Sequence, residues 1–270
     1  MEIKFKNILV GFDNSMSAQI ALKKSAETAH RFGSKLHVLY VLREEKGSVA
    51  DIEALVREIC GKYNVEFEFI SKSGKVSTEL STLEREIGAD LIVVGSHGNR
   101  GWQPFWIGSN AYRIVSASNC PVITIQETTK EYDLRDILLP IDDSDATRQK
   151  VPYAAVLAKA FNATVHILAV SKRKGPRVKM RLKAYLKQTQ KFLTERGVKS
   201  SVASEFGVDV PKKILEYSKT VKAGLIMIMS DTESRGLIMG NYSQDIINNS
   251  SVPVMTMHSR DLAIAGSAGY

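Results

Sequence analysis

The sequence predicts an α/β protein made of two consecutive, related domains, and three observations lead there. The chain repeats itself, with NILVGFDNS at 7–15 returning as DILLPIDDS at 136–144. Within each copy, apolar runs of strand length alternate with stretches of helical periodicity. The central runs, LIVVG at 91–95 and LIMIM at 225–229, are apolar throughout, as expected of parallel strands covered by helices on both faces.

The duplication is regular. Asp13 and Asp142, Ser15 and Ser144, His37 and His166, and Val41 and Val170 are each 129 positions apart. After small insertions Gly108 matches Gly240 and Pro121 matches Pro253, now 132 apart. The polar stretch TTKEYDLRD separates the copies, which gives domains at 1–128 and 133–259 and a loose tail at 260–270, LAIAGSAGY at its end.

In the first copy ILVGF (8–12) is a strand, and Ala18, Ala21, Leu22, Ala29 and Phe32 mark one face of the following helix. Gly33 ends that helix where the chain must turn left-handed, and Asn162, the next-best residue for that conformation, stands at the matching place in the second copy. Strand 36–42 leads to a helix carrying Ile52, Leu55, Val56, Ile59 and Cys60 on one side. Strand 65–70, a helix bearing Val76, Leu80, Leu83 and Ile87, strand 90–95, a short helix from Ser109 and strand 122–125 complete the unit. The second copy places strands near 137–141, 164–170, 198–203, 225–229 and 252–257.

Composition narrows the function. With 44% hydrophobic residues the chain can build packed cores, and its apolar runs are strand-sized, well short of a membrane span. The N-terminus lacks the pattern of a signal peptide, so a cytoplasmic protein is expected. Two unpaired-looking cysteines, Cys60 and Cys120, support neither a disulfide framework nor a thiolate metal site. The net charge of +8 is concentrated in Lys172–Lys191, which holds nine basic residues and no acid. Tyr185 is the one aromatic residue among them, too few for a stacking platform on bases, so a solvated helix face is expected there rather than a nucleic-acid or membrane contact.

Right-handed crossovers put the loops after the strands along one sheet edge, where open α/β folds take their ligands. In the first copy this edge carries Asp13, Val41 and the segment GSHGNRGWQPFWIGSN from Gly95 to Asn110. Gly95, Gly98, Gly108 and Ser109 are spaced G-x2-G-x9-G-S. Glycines let backbone amides approach a phosphate, and Ser109 opens a helix whose free N–H groups favour an anion. The same residues also make an ordinary glycine-rich turn with Ser109 as its helix cap. Asp13 can accept hydrogen bonds from a ribose or an adenine amine, or cap the helix that follows it. His97 and Arg100 lie in the loop, within reach of phosphates or simply at the surface. Trp102 and Trp106 flank Pro104 and Phe105 in the same loop, a lid or docking segment if exposed, and packing against the second domain is the favoured expectation.

The start ILVGFDNS, the LYVL end of the second strand, and the G-x2-G-x9-G-S signature followed by CPVI resemble the universal stress protein family. The resemblance covers almost the whole chain, as a tandem member. It implies a Rossmann-like fold, similar to the adenine nucleotide alpha hydrolases, with a five-stranded parallel sheet of order 3-2-1-4-5 in each domain. It implies that ATP binds the first domain: Gly11, Phe12, Asp13 and Val41 around the adenosine, Gly95, Gly98, Gly108, Ser109 and Asn110 at the ribose and phosphates, and Mg2+ on the phosphates. It further implies domain pairing within the chain or a homodimer.

The second copy departs from this pattern. Met229 replaces Gly95, Thr232 replaces Gly98, Asn241 replaces Ser109, and Asp231 and Glu233 bring charges that repel a triphosphate. Nucleotide is therefore not expected there, although Asp142 and Val170 persist. The DDSD run at 142–145 fits a strand end and helix cap more simply than a magnesium site. His37 and His166, at equivalent strand positions, read as packed or hydrogen-bonded. No nucleophile elbow, P-loop or zinc-protease motif occurs. The expected function is an ATP-binding stress-response regulator with an unidentified protein partner. The alternatives are a slow ATPase in the same site, a ligand-independent interaction module and, more remotely, a relative of electron-transfer flavoproteins.

Overall fold

The computed structural model describes residues 3–42, 48–96, 109–126, 129, 133–144, 146–230 and 241–259. The chain divides into two compact units, built in the main on Lys4–Glu131 and on Tyr132–Arg235 with Met239–Tyr270.

In the first unit the elements run β1 (Asn7–Phe12), α1 (Met16–Phe32), β2 (Lys35–Leu42), α2 (Val49–Gly61), β3 (Phe67–Ser73), α3 (Val76–Ile87), β4 (Leu91–Gly95), α4 (Ser109–Ala117) and β5 (Val122–Ile125). All neighbouring strands are parallel, in the order β3-β2-β1-β4-β5. The second unit runs β6 (Asp136–Ile141), a 3-10 turn (Ala146–Lys150), α5 (Val151–Phe161), β7 (Thr164–Ser171), α6 (Pro176–Thr194), β8 (Lys199–Phe206), α7 (Val210–Thr220), β9 (Leu225–Met229), α8 (Asn241–Asn249) and β10 (Val254–Met257). Its order, β8-β7-β6-β9-β10, is again third, second, first, fourth, fifth.

The central strands supply the cores. Ile8, Leu9 and Val10 of β1, and Ile137, Leu138 and Leu139 of β6, are wholly buried. Each such side chain contributes roughly 1.5–3 kcal/mol over an exposed one. Gly33 at φ 63° and Asn162 at φ 50° both end their helices in the left-handed conformation that the sequence indicates. The edge strands differ from expectation: β3 and β8 run on to Ser73 and Phe206, beyond their apolar runs. Their pairing with β2 and β7 continues through polar residues because backbone ladders need no apolar side chain. Both cysteines are buried thiols, and burial pushes Cys60 up to about 11.

The paired histidines sit near the strand starts, away from the ligand edge. His37 Nε2 lies 3.3 Å from Asn7 Oδ1. His166 bridges three strands, with Nε2 2.7 Å from Asp136 Oδ1 and Nδ1 2.8 Å from Ser201 Oγ. Burial holds the His37 pKa below its ordinary value of 6.5, against the opposing pull of Glu68. As pH falls through the unfolded value, the unfolded chain takes up this proton first, so stability drops on the acid side. The His37→Gln variant is expected to lose less stability than wild type between pH 7.5 and 5.5 in urea titrations. An identical pH response in the two proteins would contradict the assignment.

Candidate functional site

In the first unit the chain passes from β1 to β2 and β3 on one side, then crosses to β4 and β5 on the other. The switch point is therefore the crevice between β1 and β4 at their carboxyl ends. Register fixes what meets there. Gly11 is opposite both Leu39 and Val94, and Phe12 is opposite Tyr40. One residue further along each strand brings Asp13, Val41 and the Gly95–Ser96 end of β4 to the same stretch of edge.

Several of these residues are held by packing. A side chain on Gly11 would bring its Cβ to 3.2 Å from Leu80 of α3 and 3.3 Å from Val94. Phe12 and Val41 are buried, while Asp13 is half-buried. The Asp13 Oδ1 accepts the Ser15 N–H at 3.1 Å, and Asn14 takes φ 61° between them. The helix cap is Ser15 itself, whose Oγ accepts from the Ala18 N–H at 3.2 Å and lies 3.2 Å from Ser17 Oγ. The cap reading for Asp13 is thus corrected: it orders the turn before the helix, and a serine two residues on does the capping.

At Gly95 the close approach is severe. An added Cβ would stand 2.5 Å from Ser17 Oγ and 3.1 Å from the Ala18 nitrogen, so the first turn of α1 rests directly on the end of β4. Just beyond it, Ser96 ties β4 to β5, its N–H donating to Ile125 O and its Oγ to Gln126 Oε1, both at 2.8 Å. The Ser15–Ser17 pair and this serine–glutamine tie are visible only in the structure, although the Asn-Ser ahead of a helical run is a recognisable cap signal. Two helices, α1 and α4, begin at this edge, Ser109 in the first turn of α4 with Asn110 half-buried beside it. His97, Gly98, Arg100 and Gly108, with the Trp102–Trp106 segment, lie outside the described residues.

The second unit repeats the turn, with different residues at the corresponding strand ends. Asp142 Oδ1 accepts the Ser144 N–H at 2.8 Å, as Asp13 accepts that of Ser15. Met229 stands at the Gly95 position, and the regular helix starts only at Val151, after a 3-10 turn and with Pro152 in its first turn. Lys150, at the position of the small Ala21, is 2% exposed. Its Nζ donates to Thr147 O at 2.5 Å, and burial pulls its pKa down to about 8 against the nearby Asp142. Arg173 pairs with Asp143, and Arg181 Nη1 donates to Asp143 O at 3.0 Å, so charged contacts span the β6/β7 edge. Thr232, Asp231, Glu233 and Gly240 lie outside the described residues.

Among the described residues no group of histidines, cysteines and carboxylates could hold a metal ion. No described helix is long and apolar enough to cross a membrane.

The sequence profile of the Universal stress protein family matches residues 4–59, 43–126 and 134–258. The universal stress protein YxiE of Bacillus subtilis is 24% identical over 147 residues, which is 45% of this chain and 99% of that one. A universal stress protein of Methanocaldococcus jannaschii is 25% identical over 149 residues, 47% of this chain and 85% of its own. Among solved structures, a universal stress protein from Archaeoglobus fulgidus superposes with a TM-score of 0.77 at 20% identity, covering 94% of this chain and 98% of its own. Single-domain relatives that span half of this chain, together with a profile that matches both halves, agree with the internal repeat. The chain belongs to the universal stress protein family and is a tandem, two-domain member of it.

Proposed function

We propose that the first unit binds one adenine nucleotide, ATP with Mg2+ on its phosphates, and that its occupancy regulates a stress-response partner without sustained turnover. The observation that carries this reading is the register that sets Asp13, Val41 and the end of β4 together at the switch point. The fit is chemical as well as positional. A half-buried carboxylate suits ribose hydroxyls, and the starts of α1 and α4 at the same edge favour phosphate. With no carboxylate cluster among the described residues, the phosphates themselves would be the chief ligands of the magnesium ion. The family signature Gly95, Gly98, Gly108 and Ser109 supplies the rest of the phosphate cradle. In this reading the second unit is the partner domain within the chain. Met229, the late helix start and the Arg173–Asp143 pair all argue against a second nucleotide there.

Acid extraction followed by ATP titration, read by the emission of Trp102 and Trp106, tests the proposal. One nucleotide per chain is expected, lost in Gly98→Val. The Asp13→Ala variant is expected to bind roughly 10–100-fold more weakly, the value of a hydrogen bond to a charged group. Two nucleotides per chain would overturn the silence of the second unit. Absence of binding with magnesium present would end the nucleotide reading, and steady hydrolysis abolished by Gly98→Val would replace the regulator with an enzyme.

A further inference from the structure

The basic run singled out in the sequence forms α6 and the loop before it, and the structure supplies what the sequence lacks, namely exposure and pairing. Lys172, Lys174, Arg177, Lys183 and Lys187 are all exposed, and none has an acidic partner among the described residues. Arg173 and Arg181 are engaged at Asp143, and Lys191 lies 3.7 Å from Glu195. The equivalent helix of the first unit, α2, is built differently. There Arg57 pairs with Glu53 and Lys62 with Glu58, each at 2.8 Å. The fold therefore works with a neutralised helix after its second strand, and like charges four residues apart on α6 oppose that helix rather than stabilise it.

We propose that the outer face of α6 binds the phosphate backbone of duplex nucleic acid without regard to base sequence. Lys179, Lys183, Lys187 and Lys191 form a row at every fourth residue, a rise of about 6 Å per step. Phosphates along one strand advance about 3.4 Å per nucleotide, so two nucleotides nearly match one step of the row. The aromatic side chains of this region are already occupied: Tyr185 lies under Arg148, Phe192 under Arg196 and Phe206 under Lys179. With no free ring to stack on bases, single strands lose their usual anchor, and phosphate contact is what remains. A lipid surface fits less well, because Leu182, Phe192 and Leu193 are buried within the unit and Met180 is the lone large apolar side chain exposed on the helix.

The test is fluorescence anisotropy of the full-length protein with a mixed-sequence 20-base-pair DNA duplex across a salt series. Binding is expected to weaken with log salt at a slope of about −3 to −5, the release expected for four or five phosphate contacts. Replacing Arg177, Lys183 and Lys187 by Gln together should weaken binding more than tenfold at low salt and flatten the slope by about 3. The charge-conserving set Arg177→Lys, Lys183→Arg, Lys187→Arg should retain it. A control of equal charge, Lys23→Gln, Lys75→Gln, Lys219→Gln, should also retain it. An equal loss in that control would overturn the proposal, since net charge alone would then explain binding. So would tighter binding of single-stranded DNA, of poly-glutamate or of phosphatidylserine vesicles, or no duplex binding at 20 mM salt.

Discussion

Alanine at position 95 is expected to destabilise the first unit by roughly 1–3 kcal/mol, the usual penalty for forcing atoms into a filled core. The added methyl would fall 2.5 Å from Ser17 Oγ, 3.1 Å from Ser17 Cβ and 3.1 Å from the Ala18 nitrogen. None of these can step aside cheaply. Ser17 is wholly buried, and the turn that carries it is pinned by the Ser15 cap on the Ala18 N–H. The strain must therefore push α1 away from β4, which opens the crevice at the level of Asp13. Nucleotide affinity should fall along with stability.

A double-mutant cycle separates this contact from a general loss of order. Ser17→Gly removes both of the side-chain atoms that the new methyl meets, leaving only the backbone nitrogen. Gly95→Ala in that background should be markedly better tolerated, with a coupling of about 1 kcal/mol or more. Urea unfolding followed by tryptophan emission reads the first unit, since both tryptophans belong to it. Strict additivity, or a Gly95→Ala protein as stable as wild type, would refute the contact. The second unit offers a natural counterpart, because a residue as large as Met229 occupies this position where the regular helix begins later.

That counterpart also shows what the sequence could and could not tell. The succession of strands and helices and the helix ends at Gly33 and Asn162 were legible because apolar runs and left-handed caps are written locally, whereas the strand order came only with the family resemblance. The extents of β3 and β8 were not, since an edge strand is held by its neighbour's backbone and its polar half looks like loop. Asp13 stood out as a carboxylate after a strand, whereas Val41, though placed at the same edge, reads as a plain core residue without the family resemblance. The late start of α5 carried a signal, Pro152 in the first turn, that the continuous helical periodicity around it concealed. A fully buried Lys150 had no signal at all. In ATRQKVPY it reads as one more solvated charge, because burial of a lysine is decided by tertiary packing.

That lysine gives the other large effect, a gain. Lys150→Met is expected to raise the stability of the second unit by about 1–3 kcal/mol at pH 7. The ammonium is pushed from 10.5 down to about 8 by burial, which corresponds to a penalty of about 3 kcal/mol for holding the proton in the folded state. Offsetting this, the variant gives up the hydrogen bond to Thr147 O and the nearby Asp142 charge, so only part of the penalty returns as stability. Methionine matches the length of the lysine stem and leaves no cavity of consequence, which Lys150→Ala would. The pH dependence fixes the cause. Between pH 8 and 10.5 the unfolded chain still holds the proton that the folded chain has released, so wild-type stability rises with pH from this group. The advantage of the methionine variant must therefore shrink across that window and vanish above it. Hydrogen exchange of the α5 amides at pH 7, with urea unfolding by circular dichroism at pH 7 and 10, reads both the unit and the trend. A loss of stability at pH 7, or a gain that does not diminish by pH 10, would mean that the ammonium is a structural strut held by Thr147 and Asp142 rather than an unrelieved buried charge.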